Sequence, residues 1–217
     1  MKKFFFGIGL IIVSSCSSTP SITQKLVPFN DERIQLTQQY MREHYAYEDE
    51  RIEITPSMVV VHWTAIPTFE GSYKAFVSPT LPSSRTAIIK AGNLNVSAHY
   101  LIDREGGIFQ LVPDTIMARH TIGLNHCAIG IENVGSDAEP LNKKQLRSNR
   151  WLIEYLSEKY PIDYVIGHHE YTLFKNHPLW KEKDDNYQTY KVDPGDKFMN
   201  KLRKKLKSLH LKDIPQK

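Results

Sequence analysis

Met58-Val59-Val60-Val61-His62-Trp63 is the stretch from which the fold can be read. It is rich in β-branched residues and has the character of a buried strand, with His62 at its C-terminal end. Working outward, Tyr164 to Gly167 forms a last strand that delivers His168 and His169 at its end, and Cys127 to Val134 forms another that carries Glu132. Ser97 to Asp103 and Ile108 to Val112 are two strands joined by the tight turn Arg104-Glu105-Gly106-Gly107, the clearest hairpin in the chain. Helices separate these strands. One begins near Asn30, which can cap it, with Asp31 and Glu32 at its positive end and an apolar face of Ile34, Leu36, Tyr40 and Met41. A short helix fits between Pro67 and Pro79, followed by a loop from Thr80 to Asn95 that could border a cleft. Asn142 and Gln145 make a capping-box start for a helix reaching about Tyr160, striped by Leu152, Leu156 and Tyr160. The expected fold is therefore α/β, a central mixed β-sheet flanked by helices in a single catalytic domain.

With 217 residues and 41% hydrophobic content, the chain is long enough for one globular domain with a real core. Its first residues have the form of an export signal: Lys2 and Lys3, the apolar run Phe4 to Val13, then Ser14, Ser15 and Cys16. The run falls short of the roughly 20 apolar residues that a transmembrane helix needs. Val13-Ser14-Ser15-Cys16 resembles a bacterial lipobox, although Leu is commoner than Val at its first position, so lipidation of Cys16 is expected. The expected signal peptide is residues 1–15, and residues 16–50 hold the lipid anchor, a polar tether from Ser17 to Phe29, and the N-terminal helix. Cys127 is the other cysteine and reads as a small buried hydrophobe. A formal charge of +4 is mild and demands no nucleic-acid partner. Much of it lies in residues 201–217, and Met199, Leu202, Leu206 and Leu209 recur at helical spacing just before and within that run, so a basic amphipathic C-terminal tail is expected.

Three chemically loaded positions, His62, Glu132 and His168, fall in or at the ends of strands, where open α/β sheets place ligands. His62, His168 or His169, and Asp193 are candidate metal ligands. Two imidazoles and one carboxylate match the three-ligand count of a catalytic zinc site with its fourth position open. These residues are far apart in sequence, so spacing alone does not establish the site, and taken singly each histidine reads as structural sooner than as a ligand.

Their flanks add to this. Val60-Val61-His62-Trp63-Thr64-Ala65, Ser97-Ala98-His99-Tyr100-Leu101-Ile102-Asp103-Arg104-Glu105-Gly106, Ile129-Gly130-Ile131-Glu132-Asn133, Ile166-Gly167-His168-His169-Glu170 and Lys191-Val192-Asp193-Pro194-Gly195 occur in one order. Together they resemble the type-2 zinc N-acetylmuramoyl-L-alanine amidases, over roughly residues 55 to 200. The resemblance implies a zinc amidase domain over residues 51–200. It puts the Zn2+ ligands at His62, His168 and Asp193, an acidic residue acting on the attacking water at Glu132, and a basic residue at Lys191. His99 and His120 would line the cleft as substrate-binding residues, and His169 would be a neighbour of the metal site. Two features depart from the family: a long insertion, Tyr171 to Tyr190, and Ala98 where some members carry a tyrosine. The implied partners are peptidoglycan or muropeptides and, through Cys16, a membrane. The expected protein is a monomer, exported and anchored in the bacterial envelope, at the outer membrane if the cell has one. The competing expectation is a peptidoglycan-binding lipoprotein of the same fold that does not cut.

Overall fold

The computed structural model describes residues 20–216, so the expected signal peptide and Cys16 lie outside the described residues. In chain order the elements are β1 (Ile22–Gln24), α1 (Asp31–Tyr45), β2 (Met58–Val61), α2 (Phe69–Val77), α3 (Thr86–Ile89), β3 (Tyr100–Ile102), β4 (Ile108–Gln110), β5 (Ala128–Asn133), α4 (Lys143–Lys159), β6 (Tyr164–Gly167) and α5 (Asp196–Lys205). A 3-10 helix, His168–Phe174, continues directly from β6, and another, Lys207–Leu209, follows α5.

The strands form one six-stranded mixed sheet in the order β1-β4-β3-β5-β2-β6. Only the β3/β4 hairpin is antiparallel. All four residues of β2 are wholly buried because both faces of the sheet are covered. Met58, Val60 and Ile166 point to one face, where they meet Tyr40, Met41 and Tyr45 of α1 and Tyr171 and Phe174. Val59, Val61 and Val165 point to the other, against Leu152, Ile153 and Leu156 of α4 and Phe198, Met199 and Leu202 of α5. The period of two along each strand thus sorts the core into two layers.

The helix ends follow the capping chemistry in the sequence. Asn30 accepts the Arg33 N–H at the start of α1, and Asn142 and Gln145 close a reciprocal capping box at the start of α4. The buried stripe of α1 differs from the expected one. It is Arg33, Thr37, Tyr40, Met41, His44 and Tyr45, with Ile34 and Leu36 only half-buried. Arg33 can be buried because it donates to the carbonyls of Phe76, Val77 and Ser78 at the C-terminal end of α2.

One expectation needs correction. The tether from Ser17 to Phe29 is not wholly unstructured: Ile22–Gln24 pairs in parallel with β4 as an edge strand, and Val27 is buried. A three-residue strand with one inward apolar side chain is too short to show a period. The apolar stripe expected in the basic C-terminal segment is the buried face of α5, which begins at Asp196: Met199, Leu202 and Leu206 lie in the core and Leu209 packs against it. Among the described residues, no helix is long and apolar enough to cross a membrane.

Candidate active site

Register and parity bring the site together. Val61 pairs with Ile131 on one side and with Gly167 on the other, so the next positions, His62, Glu132 and His168, stand in one row across three adjacent strand ends. Each follows the Met58, Val60, Ile166 parity, so all three side chains rise on the same face. Asp193, from the loop before α5, completes the group. His62, His168 and Asp193 are buried, and each offers a ligand atom within 4.8 Å of the others. The His62 main chain is fixed as well: its carbonyl accepts from Asn133 Nδ2 at 3.1 Å, and Asn133 is in turn held by Asn149 of α4.

The hydrogen bonds imply the tautomers. The Ala128 carbonyl can only accept, so His120 donates to it through Nε2, at 3.1 Å. Burial among other histidines holds His120 well below the usual imidazole range, so it is neutral and its Nδ1 carries a lone pair. That lone pair accepts from His62 Nε2, at 3.1 Å. His62 Nδ1 is then left unprotonated, 3.3 Å from Asp193 Oδ2, which also lies 3.1 Å from His168 Nδ1. Burial, with His62 beside it, pushes His168 down to about 4. Burial alone would raise the Asp193 carboxyl, but His168 and His62 hold it below the usual carboxylate range. Two imidazole nitrogens and a carboxylate oxygen that converge in a buried space are a donor set that suits a cation. A tetrahedral ion with ligands at about 2.0–2.1 Å has ligand–ligand edges of about 3.3 Å, which these separations match.

Glu132 and Lys191 face the same space. Burial pushes the Glu132 carboxyl up to about 7, with Asp193 adding to it, against the pull of His62, Lys191 and Arg85. Its Oε2 is buried with no hydrogen-bond partner. A carboxylate oxygen left free beside three converging donors is the arrangement expected of a group that handles a proton.

A cavity of about 670 Å³ opens above these residues. One wall is the loop around α3, with Arg85 and Ile88, and another is the end of the insertion, with Tyr187, Thr189 and Tyr190. The end of the Tyr171–Tyr190 insertion thus lines the cleft. Asp193 is held from below: its carbonyl accepts both the main-chain N–H and the Nδ1 of His169, each at 2.9 Å. Gly195, at φ 81, lets the chain turn from there into α5.

Of the candidate residues, the structure brings together His62, His168, Asp193, Glu132 and Lys191 around the cavity. His120 lines it too, but both ring nitrogens are already engaged. His99 does not line the cleft. It is wholly buried, with Nε2 on the Ile116 carbonyl and Nδ1 accepting the Gly130 N–H. His169 turns away from the cavity toward Asp196. Three buried residues that the sequence did not single out, His44, Arg119 and Glu182, tie the cleft walls together. Arg119 alone donates to the carbonyls of Ile88, Ala91, Gly92 and Leu94 and to the Tyr187 hydroxyl. Such partners are main-chain groups distant in sequence, and no local pattern announces them.

A family model for N-acetylmuramoyl-L-alanine amidases matches residues 53–196. The 1,6-anhydro-N-acetylmuramyl-L-alanine amidase AmpD of Haemophilus influenzae is 32% identical over 127 residues, covering 52% of this chain and 69% of that protein. AmpD of Salmonella typhimurium is also 32% identical over 127 residues, covering 52% of this chain and 68% of its own length. Among solved structures, a selenomethionine derivative of AmpD superposes with a TM-score of 0.52 at 24% identity, over 85% of this chain and 93% of that one. The N-acetylmuramoyl-L-alanine amidase LysC of Clostridium intestinale gives 0.51 at 19% identity, over 89% and 100%. At these identities the two structures speak for the fold.

Proposed function

Since the chain belongs to the N-acetylmuramoyl-L-alanine amidase family, we propose that it hydrolyses the amide bond between N-acetylmuramic acid and the L-alanine of the peptidoglycan stem. The observation that carries this is the convergence of His62, His168 and Asp193 beside an unpartnered Glu132 carboxylate in an open cleft. The three residues would hold Zn2+. Zinc supplies Lewis acidity toward the scissile carbonyl and lowers the pKa of a water at its open position.

The chain's own groups do the rest. Glu132 takes one proton from the attacking water and returns it to the alanine nitrogen as the C–N bond breaks; the second water proton then passes from the new carboxyl group to the released amine, leaving a muramic carboxylate and an ammonium group. Lys191, on the cavity wall, donates to the oxygen that becomes negative as water adds. His120 keeps His62 in the tautomer that leaves Nδ1 free, so it acts through His62 and not on substrate.

Lipidation at Cys16 would hold this domain outside the cytoplasm beside the wall, where intact peptidoglycan is the nearer substrate. Labelling with a radioactive fatty acid, present in the wild type and absent in Cys16→Ser, tests the anchor independently of activity.

Digestion of defined muropeptides followed by mass spectrometry is the direct test of the reaction. Free stem peptides beginning with L-alanine should appear, a chelator should stop their release, and zinc should restore it. Glu132→Gln should keep about one zinc per chain yet lose about a thousandfold or more in kcat. Full activity in that variant would remove Glu132 from the mechanism. Tight binding of muropeptides with no release of stems by the wild type would instead make the protein a peptidoglycan-binding module.

A further inference from the structure

His44 lies near the C-terminal end of α1, buried, away from the metal cluster and unused by the reaction above. Both of its ring nitrogens meet acceptors. Nδ1 is 2.8 Å from Glu182 Oε1 and Nε2 is 3.2 Å from the Ala91 carbonyl. The carbonyl can only accept, so Nε2 bears a proton. Glu182 Oε1 already accepts the main-chain N–H groups of Lys183 and Asp184, each at 3.0 Å, so the proton shared with His44 belongs on Nδ1. The geometry is that of an imidazolium against a carboxylate, with side-chain exposures of 7% and 1%.

This pair joins three segments that are far apart in sequence. His44 comes from α1, Ala91 from the loop that forms one cleft wall, and Glu182 from the insertion that forms another. The main-chain carbonyl of His44 also accepts from Lys183 N at 3.1 Å. The groups facing the ring from the surrounding elements are Glu182, Tyr40 stacked at 4.2 Å and Tyr187 at 5.4 Å. Arg119 sits beyond them, over the Tyr40 ring and bonded to the Tyr187 hydroxyl. Tyr40, Arg119 and Tyr187 all reach the cavity, so the surroundings of His44 form the back of the cleft wall.

We propose that His44, bonded through both ring nitrogens, is a positioning residue that clamps the loop of residues 84–92 to the insertion end at residues 181–190 and so sets the width of the substrate cleft. Removal of the ring leaves the buried Glu182 carboxylate without the partner that holds it, so the two walls separate. Substrate is then bound less tightly, while the metal ligands and Glu132, carried by the sheet, keep their places. The effect on KM rests on the amidase reading; the clamp itself does not.

Hydrogen exchange on the full folded domain tests the clamp without any substrate. In His44→Gln, exchange should quicken in residues 84–92 and 181–190 together, with residues 58–61 and 128–133 unchanged, and KM for muropeptide should rise about tenfold with kcat within about a factor of two. Should His44→Gln fail to fold, Glu182→Gln removes the carboxylate at constant shape and carries the same expectations. Variants whose wall exchange and KM match the wild type would overturn the clamp. Were the wild type to cut no amide at all, the amidase reading would fall while the exchange result still decided the clamp.

Discussion

Gly130 shows how much of the site depends on one missing atom. It faces the metal row from the middle of β5, and a Cβ there would sit 2.7 Å from His120 Cγ. The His120 ring therefore needs glycine beneath it to reach His62 and the Ala128 carbonyl at once. Gly130→Ala should push that ring aside and leave His62 free to adopt the wrong tautomer. The expected outcome is a 10- to 100-fold loss of zinc affinity by chelator competition, with the thermal midpoint lowered only modestly. Unchanged zinc affinity would mean that His120 is only packing. His62 and His168 were legible in the sequence because each directly follows a strand whose apolar parity can be counted, whereas Asp193, in the loop before α5, was legible only through the motif Lys191-Val192-Asp193-Pro194-Gly195 around it. His120 was found as a cleft residue but not as a partner of His62, since that relation depends on the return of a loop across Gly130. His44 and Glu182, which lie 138 positions apart, left no local trace.

At the scale of elements, the strands around the site matched their sequence signals closely, as did α4 and its cap. Asn142 has two jobs there. Its side-chain oxygen accepts from Lys144 N and Gln145 N, and its Nδ2 donates to the Arg104 carbonyl in the hairpin turn at 2.8 Å. Asn142→Ala should cost about 1–2 kcal/mol in urea unfolding, whereas Asn142→Asp, which keeps the cap but loses the donor, should cost less. Equal losses in the two variants would assign the whole effect to the link with the turn. Elements that sequence periodicity missed are those too short to repeat. β1 has three residues and only Ile22 packs inward, and α3 is a single turn inside a loop. The buried face of α1 was misplaced for a different reason. Arg33 is buried by satisfying the carbonyls that end α2, a tertiary use of a charged residue that hydrophobic patterning counts as exposed.

Over the whole molecule, buried histidines outside the His62, His168 and Asp193 cluster make acid stability a property of the fold. His99 and His126 are both buried, and burial pushes each down to about 4 from an ordinary value near 6.5. Between those values the unfolded chain binds more protons than the folded one, so stability rises with pH across that window and is lost as pH falls through the unfolded value. At pH 5 each of these histidines costs about 2 kcal/mol relative to pH 7.5. His126 is the cleaner probe because its Nδ1 is buried without a partner, so its replacement forfeits little hydrogen bonding. In chelator, where metal release adds nothing, urea midpoints of the wild type should fall steadily from pH 7 to pH 4.5. His126→Gln should fall less steeply, by about 2 kcal/mol over that range. Parallel curves for the two proteins would show that His126 takes up its proton without unfolding. Because His99 is also wholly buried, packed against His120, some acid sensitivity must persist in the variant. Its complete disappearance would place the entire linkage in the segment around His126, which packs against Tyr45 of α1.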